Sequence, residues 1–198
     1  MSKQMISSMS LKEQKAIKPK VEDVITEVLD KDMKKTALDF ITYMRENKMK
    51  PTWYLVNKWK SSYKGKPICN IRISMCDKNG YHRGYYNPAN CLPAWVIGLN
   101  LTHMDTYKES IMNEDLQDMI WNNAFHCVYS SQSPSPGIGC SPGKSCVPGG
   151  KVTILSKEIT NLCCGYYAMS IWNPDETAII RIKRLLELER QARTDKSR

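Results

Sequence analysis

Five of the eight cysteines, Cys127, Cys140, Cys146, Cys163 and Cys164, fall within residues 126–164 together with His126. Thiolate sulfur and imidazole nitrogen are the ligands that close a tetrahedral zinc site, and four suffice. The expected ligands are Cys127, Cys140, Cys146 and Cys163, with His126 or Cys164 as substitutes. Residues 126–150 hold three cysteines, four prolines and five glycines and show no apolar period. Zinc is the expected cofactor because a metal can fold a segment that has no core of its own. The spacing lacks paired Cys-x-x-Cys knuckles, so small buried thiols compete with this reading, and disulfides would follow if the chain were exported. A third chemistry is a reactive thiol at Cys91 or Cys164, which needs a base that spacing alone does not supply.

A second set of residues is cationic and aromatic. The chain carries 29 Lys and Arg against 20 Asp and Glu, a net charge of +9. Residues 1–66 hold 15 basic and 8 acidic side chains, and residues 67–198 hold 14 and 12. From Asn47 to Cys76 there is no acid, while Lys48, Lys50, Lys58, Lys60, Lys64, Lys66 and Arg72 run among Trp53, Tyr54, Trp59 and Tyr63. Cations can neutralise phosphates while aromatic rings stack bases, so this stretch is a candidate for nucleic-acid binding. The alternative is a solvated sheet face with its rings turned into the core. Trp53, Trp59, Tyr81, Tyr85 and Tyr86 are candidates for a small-ligand pocket.

Other motifs fail on physical grounds. Ser141-Pro142-Gly143-Lys144-Ser145 imitates a phosphate loop, but the required glycine position is Ile138, and Cys146-Val147-Pro148-Gly149-Gly150 cannot readily open a helix. His82, His103 and His126 are far apart and no metalloprotease or nucleophile-elbow pattern accompanies them.

The elements that must position these groups follow from periodicity. Ile25, Leu29, Met33, Ala37, Phe40, Ile41 and Met44 form one helical stripe from about Glu22 to Lys48. Alternation then puts Trp53, Leu55, Trp59 and Tyr63 on one side of an extended segment and Lys58, Lys60 and Lys64 on the other. A turn at residues 64–67 leads to a half-buried strand through Cys69, Ile71, Ile73 and Met75. Asn79-Gly80 suits a hairpin into a third strand over 81–86. Residues 87–104 read as a connection containing the apolar patch 94–99. A second helix is expected over 106–125, a strand over 151–160 and an extended segment before Trp172. The last helix opens at Asn173-Pro174-Asp175-Glu176, with Asn173 as its cap and Ile179, Ile182, Leu185 and Leu186 on its stripe.

The order helix, Trp-rich strand, Tyr63-to-Pro67 turn and Cys-Asn-Ile-Arg-Ile at Cys69–Ile73 resembles uncharacterised bacterial small α+β domains of the YdhG-like type over residues 35–75. The resemblance implies an antiparallel sheet packed on helices and transfers no catalytic residue.

The expected architecture is therefore α+β: an antiparallel sheet flanked by three helices, with the irregular Cys-rich loop 126–150. Residues 1–20 are expected to be a flexible tail, 21–193 a single domain, and 194–198 a frayed end, the fraying extending from about Arg190. No stretch reads as a membrane span or secretory signal, which suggests a reducing cytoplasm and no membrane partner. The expected function is noncatalytic binding of a small ligand or protein, with nucleic-acid association and thiol-dependent catalysis as alternatives.

Overall fold

The computed structural model describes residues 5–74, 81–82, 85–86, 93–124, 150–162 and 169–195. Within them lie six α-helices and nine strands. The helices are α1 (Leu11–Ile17), α2 (Val21–Val28), α3 (Lys31–Glu46), α4 (Lys108–Asn113), α5 (Gln117–Asn122) and α6 (Glu176–Asp195). The strands are β1 (Thr52–Leu55), β2 (Lys58–Tyr63), β3 (Lys66–Ser74), β4 (Tyr81–His82), β5 (Tyr85–Tyr86), β6 (Ala94–Leu99), β7 (Gly150–Ile154), β8 (Lys157–Leu162) and β9 (Met169–Trp172). An antiparallel sheet of order β1-β2-β3-β6-β9 forms the centre, and β4-β5 and β7-β8 are separate two-stranded ribbons. The α+β class expected from sequence holds, with six helices in place of three.

Register sorts the sheet into two faces. Cross-strand partners align Trp53, Trp59, Ile71, Ile97 and Ile171 in one row through all five strands. Residues one step along the strands align Thr52, Lys60, Asn70, Gly98 and Ser170 on the opposite face. Side chains alternate along each strand, so the first row belongs to the core and the second does not. Val24, Phe40, Ile41, Met44, Ile182 and Leu186, from α2, α3 and α6, share one core with Trp59, Ile71, Trp95, Ile97 and Leu99.

Several expectations change here. Residues 94–99 are a central strand rather than part of a connection. All six are buried, so the strand reads as a continuous apolar run without the alternation of a half-exposed one. The expected third strand over 81–86 is instead the ribbon β4-β5, outside the main sheet. The long extended segment after Pro51 is a hairpin, because Asn57 takes a positive φ and turns β1 back onto β2. Lys64 and Gly65, both at positive φ, make the next two-residue turn. Leu155 and Ser156, both at positive φ without a glycine, divide the expected strand at 151–160 into β7 and β8. Burial of Leu155 in the core opposes the cost of that left-handed backbone.

The helical stripes also divide. Leu29 and Asp30 are extended and separate α2 from α3. Asp115, at positive φ, separates α4 from α5, and Met112 is exposed while Ile111, Leu116, Met119 and Ile120 are buried. At the start of α6 the Asp175 carboxylate, not Asn173, caps by accepting from the Ala178 N–H at 2.7 Å. Asn173 has positive φ, and its side-chain oxygen accepts from the Trp95 N–H at 2.9 Å, tying the helix entry to β6. The frayed end expected from Arg190 does not describe α6, which continues to Asp195 with Ala192 and Arg193 buried.

The expected tail differs most. Residues 6–8 form a 3-10 turn, and α1 opens with a capping box between Ser10 and Glu13. Gln14, fully buried, accepts from the Asn57 N–H at 2.9 Å and the Trp53 indole at 3.2 Å. Its amide nitrogen donates to the Ile6 carbonyl and the Asn57 side chain. Glu27 accepts from the Ile6 and Ser7 N–H groups at 2.8 Å each. A buried network whose members satisfy one another fixes this segment against the β1-β2 turn.

Candidate functional site

The face of the sheet opposite the core carries the basic residues. Lys58 aligns with Arg72, Arg72 with Val96, and Val96 with Trp172. The Arg72 guanidinium reaches across Val96 and lies 4.7 Å from the centre of the Trp172 ring, within the range where a cation and an indole attract. Beside it, Lys60, Asn70 and Ser170 occupy the adjacent row. Gly98 is what lets Asn70 lie flat: a Cβ there would stand 2.5 Å from the Asn70 amide nitrogen.

The electrostatics of this face are unusual for a solvated surface. Lys58 is half-buried, and burial first, then the neighbouring Arg72 guanidinium, lower its ammonium pKa below the ordinary lysine value. Among the described residues no carboxylate forms an ion pair with Lys58. Two cations side by side over a partly desolvated sheet repel, which is why Arg72 adds to the lowering at Lys58.

The seven basic candidates separate in space. Lys58, Lys60 and Arg72 share the polar face. Lys50 lines a groove beside β1, and Lys48 sits at positive φ just past α3. Lys64 belongs to the β2-β3 turn, and Lys66 begins β3 with its carbonyl accepting from Arg193. The aromatic candidates also divide. Trp59 is buried and donates its indole N–H to the Pro19 carbonyl at 2.8 Å, and Trp53 holds Gln14, so both rings anchor the N-terminal segment. Both also line the groove beside β1. The backbone pairs Tyr81 with Tyr86 in the β4-β5 ribbon, which also contains Tyr85.

The cysteine candidates Cys127, Cys140, Cys146 and Cys163, their substitutes His126 and Cys164, and the thiol candidate Cys91 lie outside the described residues. Among the described residues no group of three or more His, Cys, Asp or Glu side chains could hold a metal ion. Cys69 is buried in the core, and burial pushes its thiol pKa far above the ordinary range, which leaves no thiolate to react.

A constellation that periodicity does not reveal surrounds Glu189. Its carboxylate, fully buried, accepts from the Tyr107 hydroxyl at 2.7 Å, from Arg193 Nε at 2.8 Å and from the Thr102 hydroxyl at 3.0 Å. His103 approaches through Nδ1 at 2.8 Å and donates its backbone N–H at 3.1 Å. Burial alone would raise the carboxyl pKa, but hydrogen bonds from His103, Tyr107 and Arg193 outweigh it and hold the value at about 2. Arg193 in turn donates to the carbonyls of Lys66, Pro67 and Asn100. Every partner is a backbone or side-chain group at the ends of β3 and β6 or in the following turn, so this cluster clamps α6 to the sheet. Its only sequence signal is the Glu189–Arg193 spacing of four, in a region that reads as a frayed end.

No described helix is long and apolar enough to cross a membrane. No protein-family model, curated protein or solved structure matches the chain.

Proposed function

We propose that the chain is a noncatalytic binding protein that takes single-stranded nucleic acid on the polar face of β1-β2-β3-β6-β9. The observation that carries this reading is the Lys58–Arg72 pair, two cations adjacent across β2 and β3, with the Arg72 guanidinium laid over Trp172. Cations track a phosphate backbone, while indole and guanidinium planes stack bases with little regard to sequence. The edge residue Tyr54, 41% exposed, offers a further ring on β1. The zinc proposal rests on composition: Cys127, Cys140, Cys146 and Cys163 supply thiolates that a reducing cytoplasm would keep available. The YdhG-like resemblance of residues 35–75 implies no catalytic residue, and the binding reading does not depend on it.

The test is a fluorescent single-stranded oligonucleotide titrated with protein at several salt concentrations. Affinity falls steeply as salt rises, with a log–log slope of about −0.7 for each phosphate neutralised. No binding at low salt, or binding indifferent to salt, overturns the reading.

A further inference from the structure

A groove of about 620 Å³ lies between the α1–α2 connection and β1. Its volume is that of a small-ligand site. Pro19, Pro51 and Trp59 are its buried lining, and Trp53 is half-buried beside them. Both indole N–H groups are already donated, Trp59 to Pro19 and Trp53 to Gln14, so the half-buried Trp53 ring offers the groove apolar surface.

The charges along the groove are unbalanced. Arg45 and Glu22 pair at 2.6 Å, which closes that couple. Lys18, Lys20 and Lys50 remain exposed, with no carboxylate in ion-pair contact among the described residues, against the single exposed acid Asp23. The second Glu22 oxygen, Oε2, is shielded from solvent and accepts no hydrogen bond among the described residues. The groove thus combines three exposed cations with planar apolar walls.

We propose that this groove is a nucleotide site. The lysines take the phosphate, and the Trp53 and proline surfaces take the base. The site is separate from the polar sheet face, since Lys20 and Lys50 belong to neither of its rows.

The experiment is a calorimetric titration of the full chain at low salt with adenosine 5′-monophosphate, adenosine and inorganic phosphate. The monophosphate is expected to bind saturably, and more tightly than either part alone. Lys20→Ala with Lys50→Ala lowers that affinity about tenfold or more, the scale of one lost charge-assisted hydrogen bond, and leaves the unfolding temperature unchanged because both side chains are exposed. Lys58→Ala with Arg72→Ala leaves monophosphate binding intact, which separates this site from the sheet face. Absence of heat with the monophosphate, phosphate binding as tightly as the nucleotide, or wild-type affinity in the Lys20/Lys50 variant each overturns the proposal, whatever the oligonucleotide result.

Discussion

The two faces of the central sheet are built from the same strands in the same register, yet one step along the chain exchanges Trp59 and Ile71 for Lys60 and Asn70. On the core face Trp59, Ile71 and Ile97 are essentially inaccessible, packed under α2, α3 and α6. On the other face Lys58, Asn70, Arg72, Ser170 and Trp172 keep partial exposure. The difference separates stability from binding chemistry by residue parity. Within residues 58–61 and 69–74 a substitution at an odd position should destabilise the protein, whereas one at an even position should change what it binds; the bulge after Ser61 ends this parity, and Ile68 is buried in the core.

The largest effect should come from the core face. Trp59→Ala removes a fully buried ring and the anchor of Pro19, and should cost about 3–5 kcal/mol in denaturant unfolding. An equal cost at Lys60→Ala would erase the contrast between parities. The Glu189 clamp comes next. Its carboxyl is held at about 2 in the folded chain, below its ordinary value near 4.5. A depressed folded value means that the stabilisation is fully present above the unfolded value and is lost as pH falls toward 2. The amount at stake is about 3 kcal/mol. Glu189→Gln should therefore lower stability at neutral pH and flatten the acid limb of a stability–pH curve; an unchanged limb would show that the clamp is not the acid-labile contact.

The polar face should give the opposite pattern. Lys58→Ala with Arg72→Ala should reduce oligonucleotide affinity about tenfold and shallow its salt slope by about one contact per cation, with unfolding shifted by less than about 1 kcal/mol. Loss of fold with loss of binding would assign Arg72 to the scaffold. The smallest effect belongs to Gly98→Ala, whose added methyl displaces the flexible Asn70 amide at a cost of about 1 kcal/mol or less. A modest fall in oligonucleotide affinity with near-normal stability would place Asn70 in the binding surface.

Much of the scaffold was legible because burial on one face imposes a period. The α3 stripe, the alternation of Cys69, Ile71 and Ile73, and the α6 stripe all appear in the structure at the expected residues. Strand β6 escaped because burial on both faces removes alternation. The N-terminal segment escaped because buried polar side chains, Gln14 and Asn57, hold it where an apolar stripe would have been visible. The positive-φ residues Asn57, Asp115 and Leu155 broke continuous patterns with no glycine to announce the turn. Among the candidate basic residues, alternation put Lys58 and Lys60 on one side, but nothing in the sequence foretold that Arg72 would join them across the β2-β3 pairing. Trp172 joined them only through the β6-β9 pairing, a contact 100 residues distant from Arg72 along the chain.

Photo-crosslinking of a single-stranded oligonucleotide to the intact chain, with the modified peptides mapped by mass spectrometry, asks directly which surface carries the ligand. Binding on the polar face predicts crosslinks at Trp172 and within residues 58–60 and 70–74, weakened by competing salt and by Lys58→Ala with Arg72→Ala. Crosslinks confined to other residues and unaffected by that pair of substitutions would contradict it.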